Sequence, residues 1–198
     1  MKQFIKKNYV SLFFVIINIA CYILDMIRGY ALCDAGSLSV VDITERQEYY
    51  RIFTSMFLHA GFDHIWGNMI FLLALGDMLE RFVGHARFFI IYMLSGIGGN
   101  LVSMLFETVT KDYYHTVGAS GAIFGLIGAL LILVIRNNGT YGEVSIRRLT
   151  LALIYMIYSG VRSDITNNAA HAGGFLTGLF LMEIFYHIKR RKIMRGQI

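Results

Sequence analysis

Apolar residues run through this chain in long stretches that charged residues seldom interrupt. Val117 to Ile135 reads VGASGAIFGLIGALLILVI, nineteen residues without a charge, and Ala169 to Tyr186 reads AAHAGGFLTGLFLMEIFY with a single one. A hydrocarbon core about 30 Å thick needs roughly 20 helical residues to cross it, so runs of this length read as membrane spans. Six such segments are laid along the 198 residues, at about 8–28, 65–83, 88–106, 117–135, 147–165 and 169–188. The fifth has the shortest uncharged core, Leu149 to Val161, and borrows Arg147, Arg148 and Arg162 as ends that reach to the interface. Most connections are short. The pattern therefore predicts an all-α polytopic membrane protein, one compact helical bundle forming a single domain over residues 1–198.

Composition agrees with that class and excludes a soluble globule: 56% of residues are hydrophobic, 16% are charged, and the mean hydropathy is +0.57. The first segment follows Lys2, Lys6 and Lys7 like a secretory signal, but it continues past Cys21 without a small-residue cleavage site and reads as a retained helix. There is no proline, so helix breaks must fall on some of the 20 glycines. Two cysteines, one within a span and one in a loop, suggest no disulfide.

Charge supplies orientation. Of 18 Lys and Arg, 13 lie at the N-terminus, the second-to-third and fourth-to-fifth connections and the C-terminal tail, while Arg28, Arg46, Arg51, Lys111 and Arg162 lie opposite. The positive-inside rule then predicts both termini in the cytoplasm of a cell that carries the protein in its plasma membrane. The tail cluster HIKRRKIMR flanks a span, where it meets anionic lipid; the net charge of +5 points to the bilayer and not to nucleic acid.

Polar side chains inside spans are costly and ask for a functional reason. Ser120 and His171 both fall near the outer end of their spans, at similar depth, so they can meet across one helix interface as a hydroxyl nucleophile and its base. Gly121-xxx-Gly125 and Gly174-xxx-Gly178 lie just beyond them, a spacing that lets backbones approach closely; alone it would signify only helix packing. His64 and Asn68, four residues apart at the start of the second span, share a face and are candidate donors to an oxyanion. Asp63, directly before His64, either orients that imidazole or caps the helix, and the cap is the favoured reading. Asp25, Asp77 and Glu183 sit near span ends, where exposure relieves their cost, and Asp164 reads as a solvated loop charge. His85, His115 and His187 carry no motif, HExxH is absent, and neither metal nor cofactor is expected.

The motifs together resemble the rhomboid intramembrane serine proteases: GASG around Ser120, AHAGG at 170–174 continuing to Gly178, and HxxxxHxxxN from His59 to Asn68, in that family's order. The resemblance covers about residues 8–188 and matches the six-helix form of many bacterial members. It implies Ser120 as nucleophile, His171 as general base, and His64 and Asn68 as oxyanion donors. Gly118, Gly121, Gly174 and Gly178 would support them, and Phe124 would pack its ring on His171. It further implies that Arg51 of EYYRIFT stabilises a partly lipid-embedded first loop, residues 29–56, and that Glu80-Arg81 closes the second helix. Substrates would be transmembrane segments of other proteins, admitted near the fifth helix. A transporter would show inverted repeats, which are absent. A client-binding relative without catalysis would lack the nucleophile or the base, and both are present.

Overall fold

In the computed structural model, residues 8–142, 144–161 and 167–194 are described. Among the described residues the long helices overlapping the expected segments are α1 Tyr9–Ile27, α5 Phe62–Val83, α6 His85–Thr110, α7 Ser120–Arg136, α8 Ile146–Val161 and α9 Asn168–Met194. Between α1 and α5 the chain folds α2 Ala31–Gly36, α3 Val40–Arg46, α4 Arg51–Thr54 and a 3₁₀ turn, Ser55–Phe57. By length and composition three of these segments, Tyr9–Ile27, His85–Thr110 and Asn168–Ile188, can each cross a membrane; α7 is as apolar but shorter. The protein is a multi-pass membrane protein.

Its helices are patterned for lipid. On α1 the buried positions are polar at seven-residue intervals, Ser11, Asn18 and Asp25, whereas Leu12, Ile16 and Ile23 are exposed. Burying the polar minority and exposing the apolar majority is what a hydrocarbon solvent demands. Asn18 Nδ2 donates to Phe14 O at 2.7 Å, and the Phe14 ring stacks on Tyr92 of α6 at 4.0 Å between centroids. At the other end of the bundle, the Glu80 carboxylate accepts the backbone N–H groups of Val10 and Ser11 at 2.9 and 2.8 Å and also meets His85. It thereby satisfies orphan donors at the start of α1.

α7 is the centre of the bundle: Gly121 to Leu130 is buried throughout. α6 and α9 flank it, and glycines make those contacts backbone to backbone. A Cβ on Gly174 would stand 2.0 Å from Gly121 O, one on Gly178 1.9 Å from Gly125 O, and one on Gly99 2.6 Å from Ala170 O.

Several expectations are corrected. The helix expected from 117 opens at Ser120, because Gly118 has φ +135°, outside the helical region, and its N–H is taken by Ser55 O at 2.9 Å. The all-α expectation misses a short antiparallel hairpin, β1 Thr140–Tyr141 with β2 Val144–Ser145, reached through positive φ at Asn138, Gly139 and Gly142. Asp63 does not cap α5: Gly61 holds that position, and Asp63, exposed in the first turn, faces the positive end of the helix dipole. Asp25 is not relieved by exposure; it is buried and accepts the N–H groups of Leu32 and Cys33 at the start of α2. Lys2, Lys6 and Lys7, Arg162, Asp164 and the last four residues lie outside the described residues.

Candidate active site

Loop residues 28–61 and the starts of α5, α7 and α9 gather at one end of the bundle. Arg51, only 4% exposed, organises the loop: Nε donates to Glu48 at 2.6 Å, Nη1 to Ser37 O at 2.9 Å and Asp34 O at 3.2 Å, and Nη2 lies 3.5 Å from Asp42. A hydrogen bond with Ser39, joined by the charges of Arg51 and Arg46, holds the Asp42 carboxyl below the usual carboxylate range. Removing a buried cation strands its partners, so Arg51→Ala costs about 3 kcal/mol or more. Its expected result is a lower melting temperature in detergent and protease cuts within 29–57. An unaltered melt and digest would show that the loop does not need the guanidinium.

The loop in turn pins the strand-like approach to α7. Leu38 and Thr116 exchange backbone hydrogen bonds at 2.8 and 3.0 Å, and Asn100 Nδ2 of α6 reaches Ile52 O and Ser55 Oγ at 2.8 and 2.9 Å. Ser55 O then receives Gly118 N–H. These contacts deliver Ser120 to the first position of α7, where its backbone N–H has no helical acceptor.

His171 stands in the first turn of α9. Its Nε2 lies 2.8 Å from Ser120 Oγ, and its ring stacks on Phe124 at 4.2 Å and 14°. Phe124 thus limits the ring to one plane, with the nitrogen aimed at the hydroxyl. His64 and Asn68 of α5 face the backbone two residues before Ser120: a Cβ on Gly118 would stand 2.8 Å from His64 Nε2 and 3.8 Å from Asn68 Nδ2. Gly118 is therefore required twice over, for its φ and for this approach. Asn68 Nδ2 is buried and has no hydrogen-bond partner among the described residues. An amide donor left free beside a helix N-terminus suits an incoming anion.

The structure brings all nine sequence-derived residues to this end of the bundle or to the α7–α9 seam beneath it. His85, His115 and His187 are used elsewhere, with Glu80, Ser37 and Glu183. No group able to hold a metal ion occurs among the described residues. Sequence reasoning gave no role to His59, which is fully buried with its ring edge-on to His64 at 5.2 Å. Burial, then the proximity of His64, pushes its pKa down to about 3, so it is neutral. It also passed over Asn167, Ser103 and Glu107, although Asn before an apolar run is a capping signal and Ser103 and Glu107 stand one turn apart in an apolar helix.

The description "Rhomboid domain" belongs to a family model that matches residues 46–188. RHOMBOID-like protein 1 of Arabidopsis thaliana is 39% identical over 151 residues, covering 76% of this chain and 38% of that protein. YdcA of Bacillus subtilis (strain 168) is 39% identical over 169 residues, 85% of this chain and 78% of that protein. The rhomboid protease GluP of the same strain is 33% identical over 133 residues, 67% of this chain and 25% of GluP. Against the Arabidopsis protein and GluP, the chain spans well under half of the relative's length.

Proposed function

This chain belongs to the rhomboid family, and from that premise we propose that it is an intramembrane serine endopeptidase, cutting peptide bonds in or near transmembrane segments of other membrane proteins. The observation that carries the proposal is the 2.8 Å approach of His171 Nε2 to Ser120 Oγ in a ring held by Phe124. It is supported by donors already assembled around the place where charge would develop.

In the proposed reaction His171 Nε2 takes the Ser120 proton as Oγ attacks the scissile carbonyl carbon. The carbonyl oxygen becomes an oxyanion held by the Ser120 N–H, Asn68 Nδ2 and His64. His171 returns the proton to the leaving amine, breaking the C–N bond and leaving an acyl-enzyme. Water, deprotonated by His171, then hydrolyses the ester and restores Ser120. Among the described residues the His171 ring is held by Ser120 and by the stack on Phe124, which supplies the orientation that an acid gives in a triad. A helical substrate must unwind locally before its carbonyl is available, because helical backbone groups satisfy one another. Segments with helix-weakening and small residues are the expected substrates.

α8 is the proposed side of admission. It rests on α7 and touches α5 through Tyr155 and Phe71, 5.9 Å apart, while Leu151, Ile154 and Tyr158 stay exposed. We further place all six long helices across the bilayer, with both termini cytoplasmic and the Ser120 end facing the opposite side.

The test is cleavage of a model transmembrane substrate by purified protein in detergent, alongside fluorophosphonate labelling of Ser120. Cleavage and labelling are expected; absence of both across several substrates would favour a client-binding protein instead. Asn68→Ala is expected to lower kcat by about a hundredfold, since a single oxyanion donor typically contributes about 2.7–4 kcal/mol. An unchanged kcat would remove Asn68 from the oxyanion site.

A further inference from the structure

A second polar assembly joins the segments that lead into Ser120 and His171. Asn167 immediately precedes α9, and its Oδ1 accepts Ala170 N–H at 2.9 Å while its backbone oxygen accepts His171 N–H at 3.2 Å. That is the geometry of a helix cap, and it needs only the side-chain oxygen. The amide nitrogen does something a cap does not require: Nδ2 donates to Ser103 Oγ of α6 and to Thr116 Oγ1 at 3.2 Å. Ser103 Oγ donates onward to Glu107 Oε1 at 2.8 Å, and Glu107 Oε2 accepts Tyr114 N–H at 3.3 Å. Ser103 and Glu107 are 0% and 2% exposed, so this is a built network rather than a surface contact.

The connections matter because of what they join. Thr116 lies four residues before Ser120, and Asn167 four residues before His171. The Asn167 side chain therefore spans the segment that delivers the nucleophile and the turn that delivers the base. Ser103, Glu107 and Tyr114 fix that span to α6. Below the dyad, the glycine seam sets how close α7 and α9 lie; above it, among the described residues, Asn167 is the side chain that bridges both approaches.

We propose that Asn167 is a positioning residue for the dyad, with Ser103 and Glu107 as its anchor, and that its Nδ2 donor, not its capping oxygen, sets the His171–Ser120 distance. This deepens the serine protease reading and rests on it. The carboxyl of Glu107 acts on the base through two hydrogen bonds and a helix turn, without touching the imidazole.

Serine caps a helix as well as asparagine does, but it is too short to reach Ser103. Asn167→Ser thus keeps the cap and removes both Nδ2 bonds, and Ser103→Ala removes the anchor on α6 while leaving Asn167 and its bond to Thr116 in place. Both are expected to lower kcat by about ten- to a hundredfold, the cost of a misplaced catalytic group, with KM unchanged and the melting temperature near wild type. In ¹⁵N-histidine NMR, with His171→Ala used for assignment, both should shift the His171 ring signals. That readout does not depend on cleavage, so a wild-type protein that cuts and labels nothing would sink the protease reading while the NMR still decides the tether. Wild-type kcat with unmoved His171 signals in both variants overturns the proposal. So does a defect in Asn167→Ala that Asn167→Ser restores, because it would leave only a cap.

Discussion

Ser120→Ala and His171→Ala are each expected to abolish cleavage of a transmembrane substrate while the protein stays folded in detergent. The expected loss is on the order of 10⁴- to 10⁶-fold in kcat, because a nucleophile and its base act as one unit and either deletion removes the covalent route. Fluorophosphonate labelling should vanish in Ser120→Ala, for want of the acceptor oxygen, and in His171→Ala, for want of a base to activate it. The two variants should differ in stability. Both give up the hydrogen bond that joins them, and His171 gives up in addition its stacked contact with Phe124, worth about 0.5–1.5 kcal/mol. A slightly lower melt for His171→Ala, with near-wild-type behaviour for Ser120→Ala, separates chemistry from folding. Cleavage surviving in either variant would defeat the dyad.

Much of the bundle was legible in the sequence because hydrophobic length is a property of consecutive residues. The apolar runs fall on long helices, three of them long and apolar enough to cross a membrane, and the Ser120, His171 and glycine spacings describe faces of single helices that only had to meet. What escaped depends on partners that only the fold assembles. The resemblance pointed to Arg51, but its acceptors at Asp34, Ser37, Asp42 and Glu48 are brought together only by the short helices α2 to α4. No periodicity announces helices of four to seven residues held by one guanidinium. The start of α7 was misplaced for a related reason. Residues 117–119 are apolar enough for a span, but Gly118 is recruited by Ser55 and by the bulk of His64, neither visible in local pattern. The same holds for Asn167, whose capping role is local and readable and whose amide nitrogen acts across 64 residues on Ser103.

The α7–α9 seam carries the other large expected effect. Gly174→Ala and Gly178→Ala each put a methyl carbon about 2 Å from a backbone oxygen, that of Gly121 in one case and Gly125 in the other. Neither obstacle is a side chain that can rotate away, so the helices must part by an ångström or more. Interiors are packed too tightly to absorb that locally. Gly174 is three residues beyond His171, and Gly121 directly follows Ser120, so separation there lengthens the 2.8 Å contact on which proton transfer depends. A shift of about 1 Å at a reacting centre can cost about a hundredfold in rate. Gly174→Ala should therefore lose at least that much activity, together with several degrees of melting temperature. Gly178→Ala, a turn further from the dyad, should lose comparable stability with a smaller share of activity. Gly67→Ala in α5 is the control: nothing lies within 4 Å of its added carbon, and replacing a helical glycine by alanine favours the helix by about 0.5–1 kcal/mol. If Gly174→Ala and Gly178→Ala melted no lower than Gly67→Ala, close backbone packing would not be what holds α9 against α7, and the placement of His171 would need another cause.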